Sequence, residues 1–180
     1  KYKAVIWDLD GTLLDTLGDL GYALNASVAL YGYGPVSREE VKARIGDGIG
    51  KLIERSIGPD NGHFEDIFAA FRKEYTDHCV VDTVPYAGIK ELLEDIRSSG
   101  AINAVVTNKL DSVAARVAEH YYPDCFAGVL GERAGVPRKP DPAMLNMMLE
   151  QLGLDIKRIG HFFWIKFFNF FLFFIIINIF

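Results

Sequence analysis

The sequence predicts an α/β protein in which an all-helical insertion interrupts a parallel sheet after its first strand. In residues 3–7, the four positions after Lys3 are all apolar, which is typical of a strand that is buried on both faces. Residues 15–84 show helical periodicity without a convincing strand. After Pro85, strand-like and helix-like segments alternate, as in a parallel sheet with right-handed crossovers.

The insertion contains three helix signals. Ser37-Arg-Glu-Glu40 forms a capping box that opens one helix. Apolar stripes at helical spacing mark the other two helices: Leu17, Leu20, Leu24 and Val28, then Phe64, Ile67, Phe68, Phe71 and Tyr75. A glycine-containing turn over residues 46–51 lies between them. Its neighbours Arg44 and Lys51 are candidates for binding a second anionic group on a substrate, although the segment also reads as a plain interhelical turn.

The remaining elements follow in regular order. A helix with its apolar face at Ile89, Leu92, Leu93 and Ile96 stops at Gly100, because glycine is the common residue just past a helix end. The later predictions are a strand over residues 101–106 ending in Thr107-Asn108, a helix capped by Asp111, a strand over residues 126–130, and a helix opened by Asp141-Pro142.

Composition excludes several classes of function. The chain has 180 residues, half of them apolar, and a net charge of -5, so disorder and a disulfide scaffold are excluded. The pI is near 5.4 and no run of Lys and Arg occurs, so we expect no nucleic-acid partner. The distant Cys79 and Cys125 and the lack of a signal-peptide pattern predict a reduced, cytoplasmic protein.

The first candidate site is the pair Asp8 and Asp10, directly after the first strand. Two carboxylates about 4 Å apart repel by roughly 4 kcal/mol at an effective dielectric constant near 20, so a cation or a shared proton is expected beside them. Mg²⁺ prefers such oxygen ligands. One carboxylate could then attack an electrophile while the other serves the leaving group. A solvated turn is the alternative, and a calcium-binding EF-hand loop is excluded because Leu13 stands where that loop needs glycine.

Other polar residues follow the later strands. Sites in open α/β sheets form beyond the carboxyl ends of the strands. Thr107 and Asn108 follow the second core strand, and Lys139 precedes a helix. Taken singly, they also read as a loop start and a solvated lysine. The ordered set, including the two aspartates, favours a site.

Three motifs occur in order along the chain: Asp8-Leu-Asp-Gly-Thr12, Val105-Val-Thr-Asn-Lys109 and Arg138-Lys-Pro-Asp-Pro142. Together they resemble the haloacid dehalogenase superfamily of phosphatases, and most closely its phosphoglycolate phosphatase-like branch. The resemblance covers about residues 1–160. It implies a Rossmann-like core of residues 1–14 and 86–160, a helical cap of residues 15–85, and Mg²⁺-dependent hydrolysis of a small phosphorylated metabolite.

The resemblance also implies a role for each residue. Asp8 would be the nucleophile that forms an aspartyl-phosphate. Asp10 would be the general acid and base, and with Asp8 it would hold the Mg²⁺. Thr107 and Asn108 would bind the transferring phosphoryl group, while Lys139 would neutralise negative charge. Such transfer needs positioning and charge neutralisation above all.

The tail departs from the family pattern. Residues 161–180 hold nine of the thirteen phenylalanines, and no acidic residue follows Asp155. A fourth family motif would place two metal-binding acids here, but His161 stands at the first position and Ile165 or Lys166 at the second. We therefore expect the carboxyl-terminal part of the core to be truncated or replaced, with a bare sheet edge and weakened metal binding. Out-of-frame sequence explains the tail better than a membrane segment or a natural sheet.

Four alternatives to a phosphatase stay open at this point. A phosphosugar mutase or a carbon–halogen hydrolase could use the same scaffold, although the latter does not need Asp10. A receiver-like signalling module would place its acid on a middle strand and lack the insertion. A catalytically impaired or membrane-tethered derivative would fit the tail. The sequence leaves the oligomeric state open.

Overall fold

The computed structural model describes residues 2–45, 47–59, 62–154 and 175–178. The chain divides into two compact units. We call Lys1–Leu14 together with Pro85–Phe180 the sheet unit, and Asp15–Val84 the helical unit.

The helical unit contains four described helices, and three of them correspond to the helix signals predicted from the sequence. They are α1 (Leu17–Ala29), α2 (Arg38–Arg44), α3 (Ile49–Ile57) and α4 (Phe64–Asp77). The predicted capping box is confirmed, because the Ser37 hydroxyl accepts from the Glu40 amide at 3.3 Å and the Glu40 carboxylate accepts from the Ser37 amide at 2.8 Å. These bonds, the one from the Ser37 backbone foremost, lower the pKa of Glu40. The glycine-containing turn is shorter than predicted, since α3 already includes Gly50 and Lys51.

The remaining elements belong to the sheet unit, except that β2 and β3 each have one residue on either side of the boundary between the units. In chain order they are β1 (Tyr2–Trp7), β2 (Leu14–Asp15), β3 (Val84–Pro85), α5 (Ile89–Ser98), β4 (Ile102–Leu110), α6 (Asp111–Tyr121), β5 (Val129–Glu132), α7 (Ala143–Gln151) and β6 (Ile175–Asn178). The short strands β2 and β3 pair with each other where the chain passes from one unit to the other.

The main sheet has the strand order β5-β4-β1-β6. Strands β5, β4 and β1 are parallel, with Trp7 opposite Val105, so β1 and β4 end at the same edge of the sheet. Strand β6 is antiparallel to β1, so this edge of the sheet is paired and the expected bare edge is not found there. The β-branched run of β6 suits pairing with an open strand edge.

Helices cover both faces of this sheet, which confirms the predicted α/β class. On one face, Ile6 and Val106 belong to a core cluster with the buried α7 residues Met144, Leu145, Met148 and Leu149. On the other face, the Trp7 indole donates to the Asn103 side chain, whose amide donates in turn to the Leu93 carbonyl of α5. The packed faces hold β1 and β4 rigidly at their carboxyl ends.

Three details differ from the sequence predictions. Strand β4 runs to Leu110, so Thr107 and Asn108 lie within the strand and not after it. Asp111 is the first residue of α6 and does not cap it, because its carboxylate accepts from the Gly131 amide at 2.8 Å. The second late strand, β5, begins and ends later than predicted.

The predictions for the tail lie mostly outside the described residues, including those for His161, Ile165 and Lys166. Across the described ranges, none of the helices combines the length and the apolar character needed to cross a bilayer.

Candidate active site

The loop after β1 places Asp8 at the carboxyl end of the sheet. Gly11 has φ near +73°, a left-handed conformation that glycine adopts without steric cost. The Gly11 amide then donates to the Leu14 carbonyl at 2.8 Å and closes the turn. The buried Tyr122 hydroxyl donates to the Leu13 carbonyl at 2.7 Å, and burial raises the pKa of Tyr122. The loop is therefore held by its own backbone hydrogen bond and by Tyr122, which directly follows α6.

Asp8 and Lys139 form a buried ion pair. Oδ1 of Asp8 accepts from the Leu9 amide at 2.8 Å and from Nζ of Lys139 at 2.9 Å. The Lys139 ammonium also donates to the Val106 carbonyl at 2.8 Å. The side chains of Lys139 and Asp8 are 9% and 12% exposed. These bonds fix Oδ1 and leave Oδ2 as the oxygen available to a reacting partner.

Asn108 holds Lys139 in place. Its side-chain oxygen accepts from the Lys139 amide at 2.9 Å, and its side-chain nitrogen donates to the Lys139 carbonyl at 3.1 Å. The amide nitrogen carries two hydrogens, so one remains for another acceptor. These two hydrogen bonds connect β4 to the segment before α7.

Thr107 lies beside this clamp and is almost fully buried. Its hydroxyl oxygen accepts a weak bond from the Lys109 amide at 3.3 Å. Because the oxygen is the acceptor, the hydroxyl hydrogen stays available as a donor.

Asp10 pairs with a residue that the sequence did not single out. Nζ of Lys109 lies 2.7 Å from Oδ1 of Asp10, and the Lys109 side chain is 1% exposed. A signal for it appears once β4 is seen to run to Leu110, because a lysine inside a buried strand needs a buried acceptor. The sequence did not show which acceptor, since the two residues are 99 positions apart.

The expected repulsion between the two aspartates is thus relieved by two ammonium groups. Lys139 neutralises Asp8, as the sequence suggested, and Lys109 neutralises Asp10. Each pair is largely shielded from water. Opposite charges in such a low-dielectric interior attract each other more strongly than at a surface.

The structure brings all five predicted site residues together within the sheet unit. Asp8, Lys139 and Asn108 are joined by direct contacts, while Asp10 and Thr107 are joined through Lys109. The remaining candidates lie in the helical unit. There Arg44 pairs with Glu40 and contacts Ser56, and Lys51 pairs with Glu54.

The oxygen donors of this site are of the kind that Mg²⁺ prefers, although they are few. Asp8 and Asp10 offer carboxylate oxygens and backbone carbonyls. No cluster of three or more His, Cys, Asp or Glu suited to a metal occurs in the described part of the chain. Mg²⁺ often uses only one or two carboxylates together with water and substrate phosphate. The residues present therefore fit a sparse magnesium site.

Comparison with known proteins gives one consistent family. Residues 5–160 match the family model described as haloacid dehalogenase-like hydrolase. The chain is 35% identical over 161 residues to phosphoglycolate phosphatase of Neisseria meningitidis, covering 86% of this chain and 68% of that protein. It is also 35% identical over 162 residues to N-acetylmuramic acid 6-phosphate phosphatase of Pseudomonas aeruginosa, covering 88% of this chain and 72% of that protein.

Solved structures agree with this grouping. A Lactobacillus delbrueckii protein, provisionally named a phosphoglycolate phosphatase, superposes with a TM-score of 0.77 at 31% identity. The match covers 86% of this chain and 75% of that one. The motifs at Asp8, Thr107 and Lys139 all fall within residues 5–160, the range that matches the family model.

Proposed function

The chain belongs to the haloacid dehalogenase-like hydrolase family and is a phosphoric monoester hydrolase, and we propose that it acts on a small phosphorylated metabolite through an aspartyl-phosphate intermediate. The observation that carries this proposal is the buried pair of Asp8 with Lys139, 2.9 Å apart at the carboxyl end of β1. Such a pair supplies a fixed nucleophilic carboxylate beside a positive charge.

In the first step, Oδ2 of Asp8 attacks the phosphorus atom, and the bond from phosphorus to the leaving oxygen breaks. Lys139 stabilises the charge that accumulates on the phosphoryl oxygens and keeps Asp8 oriented. Asp10, which must first take up a proton, gives that proton to the leaving oxygen, so the alcohol departs neutral.

In the second step, Asp10, now a carboxylate, takes a proton from a water molecule. That water attacks the aspartyl-phosphate, Asp8 is regenerated and inorganic phosphate leaves. Atoms and charges balance over the two steps, and one residue serves as acid and then as base.

Thr107 and Asn108 supply hydrogen-bond donors for the phosphoryl group. The Thr107 hydroxyl hydrogen and the second amide hydrogen of Asn108 are the donors that their other bonds leave available. Both residues are held by neighbouring backbone groups, which limits reorganisation during the reaction.

Asp8 and the backbone carbonyl of Asp10 would hold Mg²⁺, which when bound neutralises negative charge on the phosphoryl group. Because the described site offers few carboxylates, we expect activity to rise over the millimolar range of magnesium. The wide sequence separation of Cys79 and Cys125 supports the cytoplasmic location expected from the sequence.

The test is a comparison of phosphate release by the full chain and its Asp8→Asn variant. Substrates would include 2-phosphoglycolate, N-acetylmuramic acid 6-phosphate and 4-nitrophenyl phosphate, each at several magnesium concentrations. We expect turnover of at least one substrate and a loss of more than about 10³-fold in the variant. Asp77→Asn is the matched control, because Asp77 is an exposed acid of the helical unit. Equal rates for the chain and the Asp8 variant would contradict the proposal.

A further inference from the structure

We propose that Lys109 is a positioning residue that fixes the carboxylate of Asp10 in the orientation needed for proton transfer. The role rests on the proposed phosphatase function, in which Asp10 acts on the leaving group. Lys109 itself would not touch the substrate.

The contact is short and buried. Nζ of Lys109 lies 2.7 Å from Oδ1 of Asp10, within the range of a charge-assisted hydrogen bond. Lys109 is 1% exposed and Asp10 is 21% exposed, so the lysine lies beneath the acid, which faces the solvent side. The bond joins the loop after β1 to the end of β4, and both are held by the packed sheet.

A buried lysine at this position lowers the stability of the folded state unless its charge is well paired. Burying an ammonium carries a large desolvation penalty, and an apolar side chain of similar volume is often neutral or stabilising in its place. The neighbouring Val105, Val106 and Leu110 of β4 are all buried and apolar. A charge in this strand therefore indicates a task for the carboxylate that it meets.

That task follows from the geometry of a carboxylate. The two oxygens of Asp10 exchange places by rotation about a soft torsion. When Lys109 holds Oδ1, Oδ2 becomes the oxygen that carries the proton to the leaving group. Proton transfer requires close and directed contact, so removal of this rotation favours the reactive geometry.

Lys109 also orients Thr107 through its backbone. Its amide donates to the Thr107 hydroxyl oxygen at 3.3 Å, which leaves the hydroxyl hydrogen available to another acceptor. A single residue thus connects the second acid with a phosphoryl-binding donor.

The two site lysines differ in their exposure and in the aspartate that each one contacts. Lys139 contacts the nucleophile itself, at the carboxylate that a bound phosphate would meet. Lys109 is enclosed, and its ammonium group contacts the carboxylate of Asp10.

The experiment compares Lys109→Met and Lys109→Gln with the unmodified chain on two substrates. 2-Phosphoglycolate has an alkoxide leaving group that needs a proton, whereas 4-nitrophenyl phosphate releases a stable phenolate. We expect kcat/KM to fall about 100-fold for the first and less than about 5-fold for the second. KM for both should change by less than about 3-fold. Lys109→Gln, which keeps a neutral donor, should show a smaller loss of the same kind.

Two further measurements separate this role from a structural one. A crystal structure of Lys109→Met should show the Asp10 carboxylate rotated or in two orientations. Asp10→Asn should produce the same leaving-group dependence, and the double variant should lose little more than either single one. Lys73→Met, which removes an exposed lysine of the helical unit, is the control.

Equal losses on both substrates, no loss, or unfolding of both Lys109 variants would overturn the role of Lys109. Failure of the phosphatase function would look different, since the unmodified chain and Asp8→Asn would then release phosphate equally from every substrate.

Discussion

Two ion pairs of the sheet unit have the same chemistry as the local pairs of the helical unit but a different construction. In the sheet unit, Lys109–Asp10 and Lys139–Asp8 are buried and join segments that are far apart in sequence. In the helical unit, pairs such as Lys73–Asp77 lie one helical turn apart and face water. Local exposed pairs form readily and contribute little, whereas buried pairs need the whole fold to assemble them. Burial and sequence separation, more than the number of ion pairs, therefore mark the chemical site.

The largest effect that this comparison predicts is at Lys139. Lys139→Met should lower kcat/KM for 4-nitrophenyl phosphate by about 10³-fold, because the phosphoryl charge loses a fixed cation. Steady-state kinetics measures it, and a melting curve shows whether the variant is folded. A loss below about tenfold would show that the buried pair is structural only.

A buried acid of the helical unit sharpens the comparison. Asp19 accepts backbone bonds from Val81, Asp82 and Thr83 at 3.2, 2.7 and 3.0 Å. Asp19→Asn should lower the free energy of unfolding by about 1.5–3 kcal/mol, because one acceptor oxygen is replaced by a donor. Urea denaturation measures this loss. An unchanged unfolding midpoint would contradict the structural role.

A glycine supports the buried pairs from β5. A Cβ at Gly131 would lie 2.5 Å from the Asp111 Cα and 2.6 Å from the Lys109 carbonyl oxygen. Gly131→Ala should therefore destabilise the protein by about 1–3 kcal/mol and lower activity, since the backbone at Lys109 must move. Gly34→Ala is the matched control, because its Cβ would meet nothing within 4 Å. Equal stability of the two variants would show that the site tolerates this shift.

The smallest effect is expected for the exposed pair. Lys73→Met should change the free energy of unfolding by less than about 0.5 kcal/mol and leave kcat unchanged. Thermal melting and the nitrophenyl assay measure both. A loss above about 1 kcal/mol would remove the distinction between the two kinds of pair.

The sequence predicted those features that depend on neighbouring residues. The capping box at Ser37 follows from local chemistry, and it occurs in the structure. The predicted α/β class followed in the same way from alternating periodicities. Motif order was enough to select Asp8 and Lys139 as candidates.

The missed features depend on distant contacts. Lys109 reads as the end of a motif until the fold brings it to Asp10. Aspartate is a common residue at helix N-caps, but the Gly131 amide binds the Asp111 carboxylate instead. The antiparallel pairing of β6 with β1 likewise depends on which edge is open when the sheet forms.

The most direct test of the account is to identify the residue that carries the phosphoryl group. The full chain would be mixed with 4-nitrophenyl phosphate, quenched rapidly and reduced with borohydride, which converts an aspartyl-phosphate to homoserine. Peptide mass spectrometry should find homoserine at position 8 in the unmodified chain and aspartate at position 10. Homoserine at another position, or phosphate release with no modified residue at any quench time, would contradict the assignment of Asp8 as the nucleophile.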